Sequence, residues 1–118
     1  MAYLLLVDSD PATQRDVQRA VASRGWRCFT AATAAQGLRL LDCGIEPDCL
    51  VLNLVLPDGG GEKVLETVRR RRLRTRVAVV TSAADRTRLG GVSHLRPEAV
   101  FEDLLDVNDV LGVCEDCR

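Results

Sequence analysis

Short, wholly apolar runs alternate along the chain with longer amphipathic stretches, and that alternation predicts its elements. "YLLLV" at 3–7 reads as a first strand. Behind it Asp10 stands at a capping position and Pro11 at a helix start, opening a helix whose stripe is Val17, Ala20 and Val21. "WRCFT" at 26–30 predicts the second strand, "AAQGLRLLDC" the second helix and "CLVLN" at 49–53 the third strand. A third helix runs from Gly61 to about Arg72 with Val64, Leu65 and Val68 on one face, and "VAVVTS" at 77–82 predicts the fourth strand. The pattern then weakens: "AADRTRLGGVSHLRP" holds at most one short helix and a short strand near Val92 to Leu95. "PEAVFEDLLDVNDVL" predicts a final helix with Pro97 in its first turn and Val100, Phe101, Leu104 and Leu105 facing inward, joined by Val107 and Leu111.

Strands that are apolar throughout and alternate with helices imply a parallel sheet covered on both faces. Ligands and chemistry in such sheets gather at the carboxyl ends of the strands. Those ends are expected to carry Asp8, Ser9 and Asp10 after strand one, Asn53 after strand three, Thr81 and Ser82 after strand four, and Arg96 after strand five.

With 118 residues the chain is expected to be one domain, 1–118, able to form a hydrophobic core without disulfide or metal staples. Its net charge of -1 argues against bulk nucleic acid as a partner. No apolar run approaches the roughly 20 residues that span a bilayer, and "MAYLLLVDSD" has no basic leader region, so the expected location is the cytoplasm. Five cysteines, an odd number, make no secreted disulfide framework, and Cys114 and Cys117 lack a second pair or a histidine cluster to complete a zinc site. Lone His94 is neither triad nor metal site. The run "RRRRLRTR" at 69–76 closes the third helix, where cations oppose the negative end of the helix dipole; a solvated face is one reading, and an acidic partner or nucleic acid the other.

An acidic cluster after strand one, a residue before "LVLPDGGG" after strand three, a hydroxyl after strand four and a basic residue before proline after strand five together resemble the receiver domain of bacterial response regulators. "LLLVDSDP" and "PDCLVLNLVLPDGGGEKVL" carry the resemblance most specifically. It implies a flavodoxin-like, doubly wound five-stranded parallel sheet of order 2-1-3-4-5 with helices on both faces. In that family two acids after strand one hold magnesium, and an aspartate after strand three takes up phosphoryl. A hydroxyl after strand four and a lysine after strand five then contact the phosphate. Carried over, the acidic pair falls on Asp8 and Ser9, with Asp10 beside them, the phosphoacceptor on Asn53, the switch hydroxyl on Thr81 and the lysine on Arg96. The switch aromatic, three positions before the lysine, falls on Ser93.

Several of these positions depart from the family pattern. An acyl phosphate needs an anionic oxygen nucleophile, and the Asn53 amide offers none. Ser9 removes a second negative charge, so magnesium binding is expected to be weak or absent and no other cofactor is implied. Arg96 spreads its charge over a planar fork and is expected to pair with Asp8. The segment between Thr81 and Arg96 is about two helical turns shorter than usual for the family, so the fourth helix is expected to be short or missing.

The expectation is an atypical, non-enzymatic receiver domain of two-component or phosphorelay signalling that acts by phosphorylation-independent contact with a protein: a sensor kinase, another regulator, or itself as a homodimer. Two alternatives stand beside it. "VDSDPAT" is similar to the Asp-x-Asp motif of haloacid-dehalogenase-type phosphatases, with Asp8 as nucleophile, although Ala12 stands where their threonine belongs. The chain could equally be the receiver part of a longer transcriptional regulator.

Overall fold

The computed structural model of the chain describes residues 2–81, 93–101 and 107–115. Its elements are β1 Tyr3–Val7, α1 Pro11–Ser23, β2 Arg27–Ala31, α2 Ala34–Asp42, β3 Cys49–Asn53, α3 Gly61–Arg70, β4 Arg76–Val80, a 3-10 turn Ser93–Leu95, β5 Ala99–Phe101 and α4 Val107–Glu115. The five strands form one parallel sheet in the order β2-β1-β3-β4-β5, the expected flavodoxin-like arrangement.

Side chains alternate across a strand, so each apolar run feeds two cores at once. Leu5, Val7, Leu50, Leu52, Val77 and Val79 face the side covered by α2 and α3, where Leu41, Val64, Leu65 and Val68 meet them. Leu4, Leu6, Val51, Ala78 and Val80 face the side covered by α1 and α4, against Val17, Val21, Val110 and Leu111. A strand buried on both faces has no use for polar alternation, which is why Leu4 to Val7 are all apolar and all fully buried.

Local chemistry sets the helix entries. Asp10 caps α1 by accepting from Ala12 N, and Pro11 supplies a pre-formed first turn. Thr33 caps α2 through Gln36 N at 3.1 Å while Gln36 Oε1 reaches back to Ala32 N at 2.8 Å, a near relative of the capping box.

The second half of the chain corrects three expectations. The segment ending at Leu95 is a 3-10 turn from Ser93, not a strand. The fifth strand is Ala99–Phe101, inside the segment expected to be helical from Pro97, and it pairs Ala78↔Ala99, Val79↔Val100 and Val80↔Phe101. Spacing among Val100, Phe101, Leu104 and Leu105 suits a helix, but a short apolar run suits a strand equally, and the free edge of β4 decided between them. The final helix of the described residues is Val107–Glu115. Leu104, Leu105, Ser82 and the place of the short or missing fourth helix, 82–92, lie outside the described residues.

The third correction concerns Arg96. It precedes β5, so it stands at the amino edge of the sheet rather than after the strand's carboxyl end. Its carbonyl accepts from Arg69 Nη2 at 3.0 Å, and the same guanidinium holds Leu95 O at 2.9 Å, Thr75 O at 3.2 Å and the Glu98 carboxylate at 3.0 Å. Glu98 in turn accepts from Val77 N. Arg69 thus ties the entry of β5 to the entry of β4, which positions a strand only three residues long.

Candidate functional site

At the carboxyl ends of the strands the ladder continues one residue past each strand. Asp8 N donates to Ala31 O at 3.0 Å, Leu54 N to Val80 O at 3.1 Å and Thr81 N to Phe101 O at 2.9 Å. These bonds hold Asp8, Asn53 and Thr81 side by side at one end of the sheet, with Ser9 and Asp10 exposed at the rim. Asp8 is 5% exposed and Thr81 2% exposed. Five of the expected site residues are therefore together. Arg96 and Ser93 are not among them, because both lie before β5 at the opposite, amino end of the sheet. The positions that follow β5 in the chain are Glu102 and Asp103, outside the described residues.

Asp8 accepts from Asp10 N through Oδ1 at 2.9 Å, and its other oxygen, Oδ2, faces Asn53 Nδ2 at 3.4 Å. Asn53 Oδ1 accepts from Val55 N at 2.8 Å. That second bond settles which way the amide points: a flipped amide would set two donors against each other at Val55 and two acceptors against each other at Asp8. The site consequently presents an NH₂ group to the buried Asp8 carboxylate. Gln14, which the sequence reading passed over, donates from Nε2 to Asp8 O at 2.7 Å and fixes the same turn from α1.

Asp10 has a different task. It accepts from Ala12 N at 3.2 Å and from Thr13 Oγ1 at 2.8 Å, so its carboxylate is committed to the start of α1. A magnesium ion seeks oxygen ligands, ordinarily one or two carboxylates with waters and phosphate. Among the described residues whose carboxylates are not committed elsewhere, Asp8 alone supplies an anionic oxygen at the strand ends, the Asn53 oxygen is taken by Val55 N, and its nitrogen is a donor. This donor set does not fit the metal.

A further residue shapes the site from its other side. Asp58, in the turn after β3, accepts from Ala34 N at 3.1 Å and Ala35 N at 3.0 Å, covering the free N–H groups of α2. The loop that follows Asn53 is thereby pinned to the helix preceding β3. Nothing in the local sequence distinguishes Asp58 from an ordinary turn aspartate, since its partners lie 24 and 23 residues away.

Electrostatics separates the acids. Burial pushes the Asp8 carboxyl above its ordinary 3.8, opposed by the bonds from Asp10 N and Asn53 and helped by the nearby Asp10 charge. Hydrogen bonds from Thr13 and Ala12 hold Asp10 below the same value, and bonds from Ala35 and Ala34 do so for Asp58. The signs differ accordingly. Folding raises the Asp8 pKa, so its contribution to stability falls as pH climbs from about 3.8 through the raised value, and the full burial penalty stands above it. Asp10 and Asp58 contribute stability that is complete above 3.8 and is lost as pH falls through their lowered values. Carboxyl-detected NMR titration is expected to find the Asp8 midpoint above those of Asp10 and Asp58; an Asp8 midpoint below either would contradict the geometry.

Comparison with known proteins bears on this arrangement. The sequence profile of the response regulator receiver domain matches residues 4–93. The chain belongs to that family. Among curated relatives, the acid tolerance regulatory protein ActR of Rhizobium meliloti is 34% identical over 108 residues, covering 86% of this chain and 55% of ActR. The photosynthetic apparatus regulatory protein RegA of Rhodobacter capsulatus is 32% identical over 113 residues, covering 91% of this chain and 58% of RegA. The receiver domain thus spans somewhat more than half the length of these relatives. Among solved structures, a CheY-like response regulator receiver domain protein from Methanospirillum hungatei superposes with a TM-score of 0.87 at 22% identity, covering 98% of this chain and 92% of that one. The fold and the family are shared, and the family is one of two-component signalling. Among the described residues of this receiver domain no helix is long and apolar enough to cross a membrane.

Proposed function

We propose that this receiver domain is an atypical member that does not take up phosphoryl at the end of β3 and acts instead by contact with a protein partner in the cytoplasm. The observation that carries the reading is Asn53, whose amide oxygen is held by Val55 N while its nitrogen faces Asp8. Acyl phosphate formation requires a carboxylate oxygen as nucleophile, and the neutral amide oxygen, already accepting a backbone bond, cannot serve. The lack of a fitting donor set for magnesium points the same way, since phosphoryl transfer relies on metal and cationic groups to neutralise developing charge. The partner in this reading is a sensor kinase, another regulator or a second copy of the chain.

A second reading is favoured by the relatives: the chain spans 55% of one regulatory protein and 58% of another, so it fits the receiver part of a longer protein that carries its own output. Contact with nucleic acid would then belong to that output rather than to this domain. The native gene product's size distinguishes the two. The phosphatase alternative loses its footing, because the Asp10 carboxylate that would be its acid/base is committed to capping α1.

The deciding experiment is addition of Mg²⁺ and beryllofluoride, a mimic of aspartyl phosphate, followed by amide NMR. The expected result is silence at Asp8, Asn53 and Thr81; shifts there would show that the site accepts a phosphoryl group despite its amide and would end the proposal.

A further inference from the structure

The arginines between α3 and β4 are not equivalent. Arg69 is anchored by four groups, and Arg76 donates from Nε to Val113 O at 2.9 Å, so both ends of the run are built into the fold. Arg71 pairs with Asp42. Arg70, Arg72 and Arg74 are exposed, and their side chains make no hydrogen bond or ion pair with any described residue. A helix dipole accounts for cations within the last turn, Arg69 and Arg70, but its effect fades beyond that turn. Arg72 and Arg74 need another explanation.

Arg72 also occupies a position that backbone geometry reserves for glycine. Its N–H donates to Arg69 O at 3.1 Å and that of Leu73 to Val68 O at 3.2 Å, the two bonds of a Schellman ending, with Arg72 at φ 55°. Glycine adopts this left-handed conformation freely, whereas a residue with a Cβ is strained there. Strained positions persist where the side chain has a use. Around it, Arg71, Arg72 and Arg74 line a recess of about 370 Å³ at the amino end of the sheet, facing the loop that carries Glu46 and Asp48. This recess lies at the opposite end of the strands from Asp8 and Asn53.

We infer that Arg72 and Arg74, with Arg70 and Arg71 beside them, form a docking surface for an acidic protein segment, one whose aspartate or glutamate side chains enter the recess. Guanidinium forks match carboxylates in bidentate geometry, and the run uses arginine at every basic position. Glu46 and Asp48 decide against a nucleic acid backbone. A continuous line of phosphates would run against these two carboxylates, and the chain's net charge of -1 adds no long-range attraction to offset that. Single carboxylates spaced along a peptide can be placed to avoid them. The surface is independent of the state of Asn53.

The test is an amide NMR titration of the whole 118-residue chain with a hexaglutamate peptide, and separately with a short DNA duplex, at about 0.15 M salt. Saturable shifts are expected at residues 70–75 and 46–48 with the peptide. They should weaken about tenfold in the double variant Arg72→Gly, Arg74→Gln. Glycine fits φ 55° at Arg72, so that variant is expected to keep its fold, which the unshifted amides of β1 and β3 would verify. Shifts spread equally over Arg15, Arg19 and Arg27, undiminished binding by the variant, no saturable shift, or tighter binding of the duplex at the same residues would each overturn the inference.

Discussion

Replacing Asn53 by aspartate is expected to lower the stability of the domain by about 1–3 kcal/mol in the absence of divalent metal. Val55 N would keep one oxygen of the new carboxylate, leaving the other where Nδ2 now stands, 3.4 Å from Asp8 Oδ2. A donor facing an acceptor becomes two anionic oxygens facing each other. Asp8 is 5% exposed, so water screens the pair poorly. The Asp8 pKa, already raised by burial, should climb further. Lowering the pH through that value protonates one partner, so the stability gap between variant and parent should narrow there.

The same substitution restores a second carboxylate beside Asp8, and with it a donor set nearer to what magnesium requires. A ligand that binds only the folded state stabilises it in proportion to the logarithm of its concentration. Urea unfolding of the Asn53→Asp variant is therefore expected to depend on Mg²⁺, while that of the parent does not. A variant as stable as the parent and indifferent to Mg²⁺ would mean that the Asn53 to Asp8 contact has no bearing on the site.

The second large effect concerns Gly61, the first residue of α3. A Cβ there would lie 2.9 Å from Leu54 O, 3.1 Å from Leu54 Cα and 3.3 Å from Asn53 O. All three are backbone atoms of the segment leaving β3, and no side-chain rotation relieves them. Helix propensity alone would favour alanine over glycine by about 1 kcal/mol. The clash outweighs that gain, because relief requires α3 to move away from the strand end, with Val64 and Leu65 leaving their packing. Gly61→Ala is expected to cost about 1–3 kcal/mol and to shift the amides of Asn53, Leu54 and Val55. Gly112 in α4 provides the contrast: a Cβ there meets nothing within 4 Å among the described residues, so Gly112→Ala should leave stability unchanged or raise it by up to about 1 kcal/mol. If both alanine variants behaved alike in thermal unfolding, the close approach at Gly61 would not be what holds the turn after Asn53.

The legible part of the site and the illegible part differ in a physical way. Asp8, Asn53 and Thr81 each follow an apolar run whose length and composition mark a buried strand, so the ends of β1, β3 and β4 could be placed from the chain alone. Asp10 and Pro11 announce α1 by local chemistry that needs no distant partner. Arg96 was legible only as a basic residue before a proline, and the strand it was meant to follow turned out to come after it. The three residues of β5 carry too little pattern to outweigh a helical spacing that extends across them. What selects the strand is the unpaired edge of β4, together with Glu98 reaching Val77 N and Arg69 holding the entry, contacts that span 21 and 29 residues.

The sequence by itself determined the parallel sheet with its two covered faces, the absence of a carboxylate at the end of the third strand, and the family resemblance, because burial pattern and side-chain chemistry are properties of each residue and its near neighbours. Only the tertiary structure decided where the fifth strand lies, which way the Asn53 amide points, that Asp58 pins the loop after β3 to α2, and which arginine side chains of the run are left without a partner among the described residues. The placements of β5 and of Asp58 rest on partners more than 20 residues away, and the others on the direction a side chain takes once the elements have packed, which no spacing along the chain records.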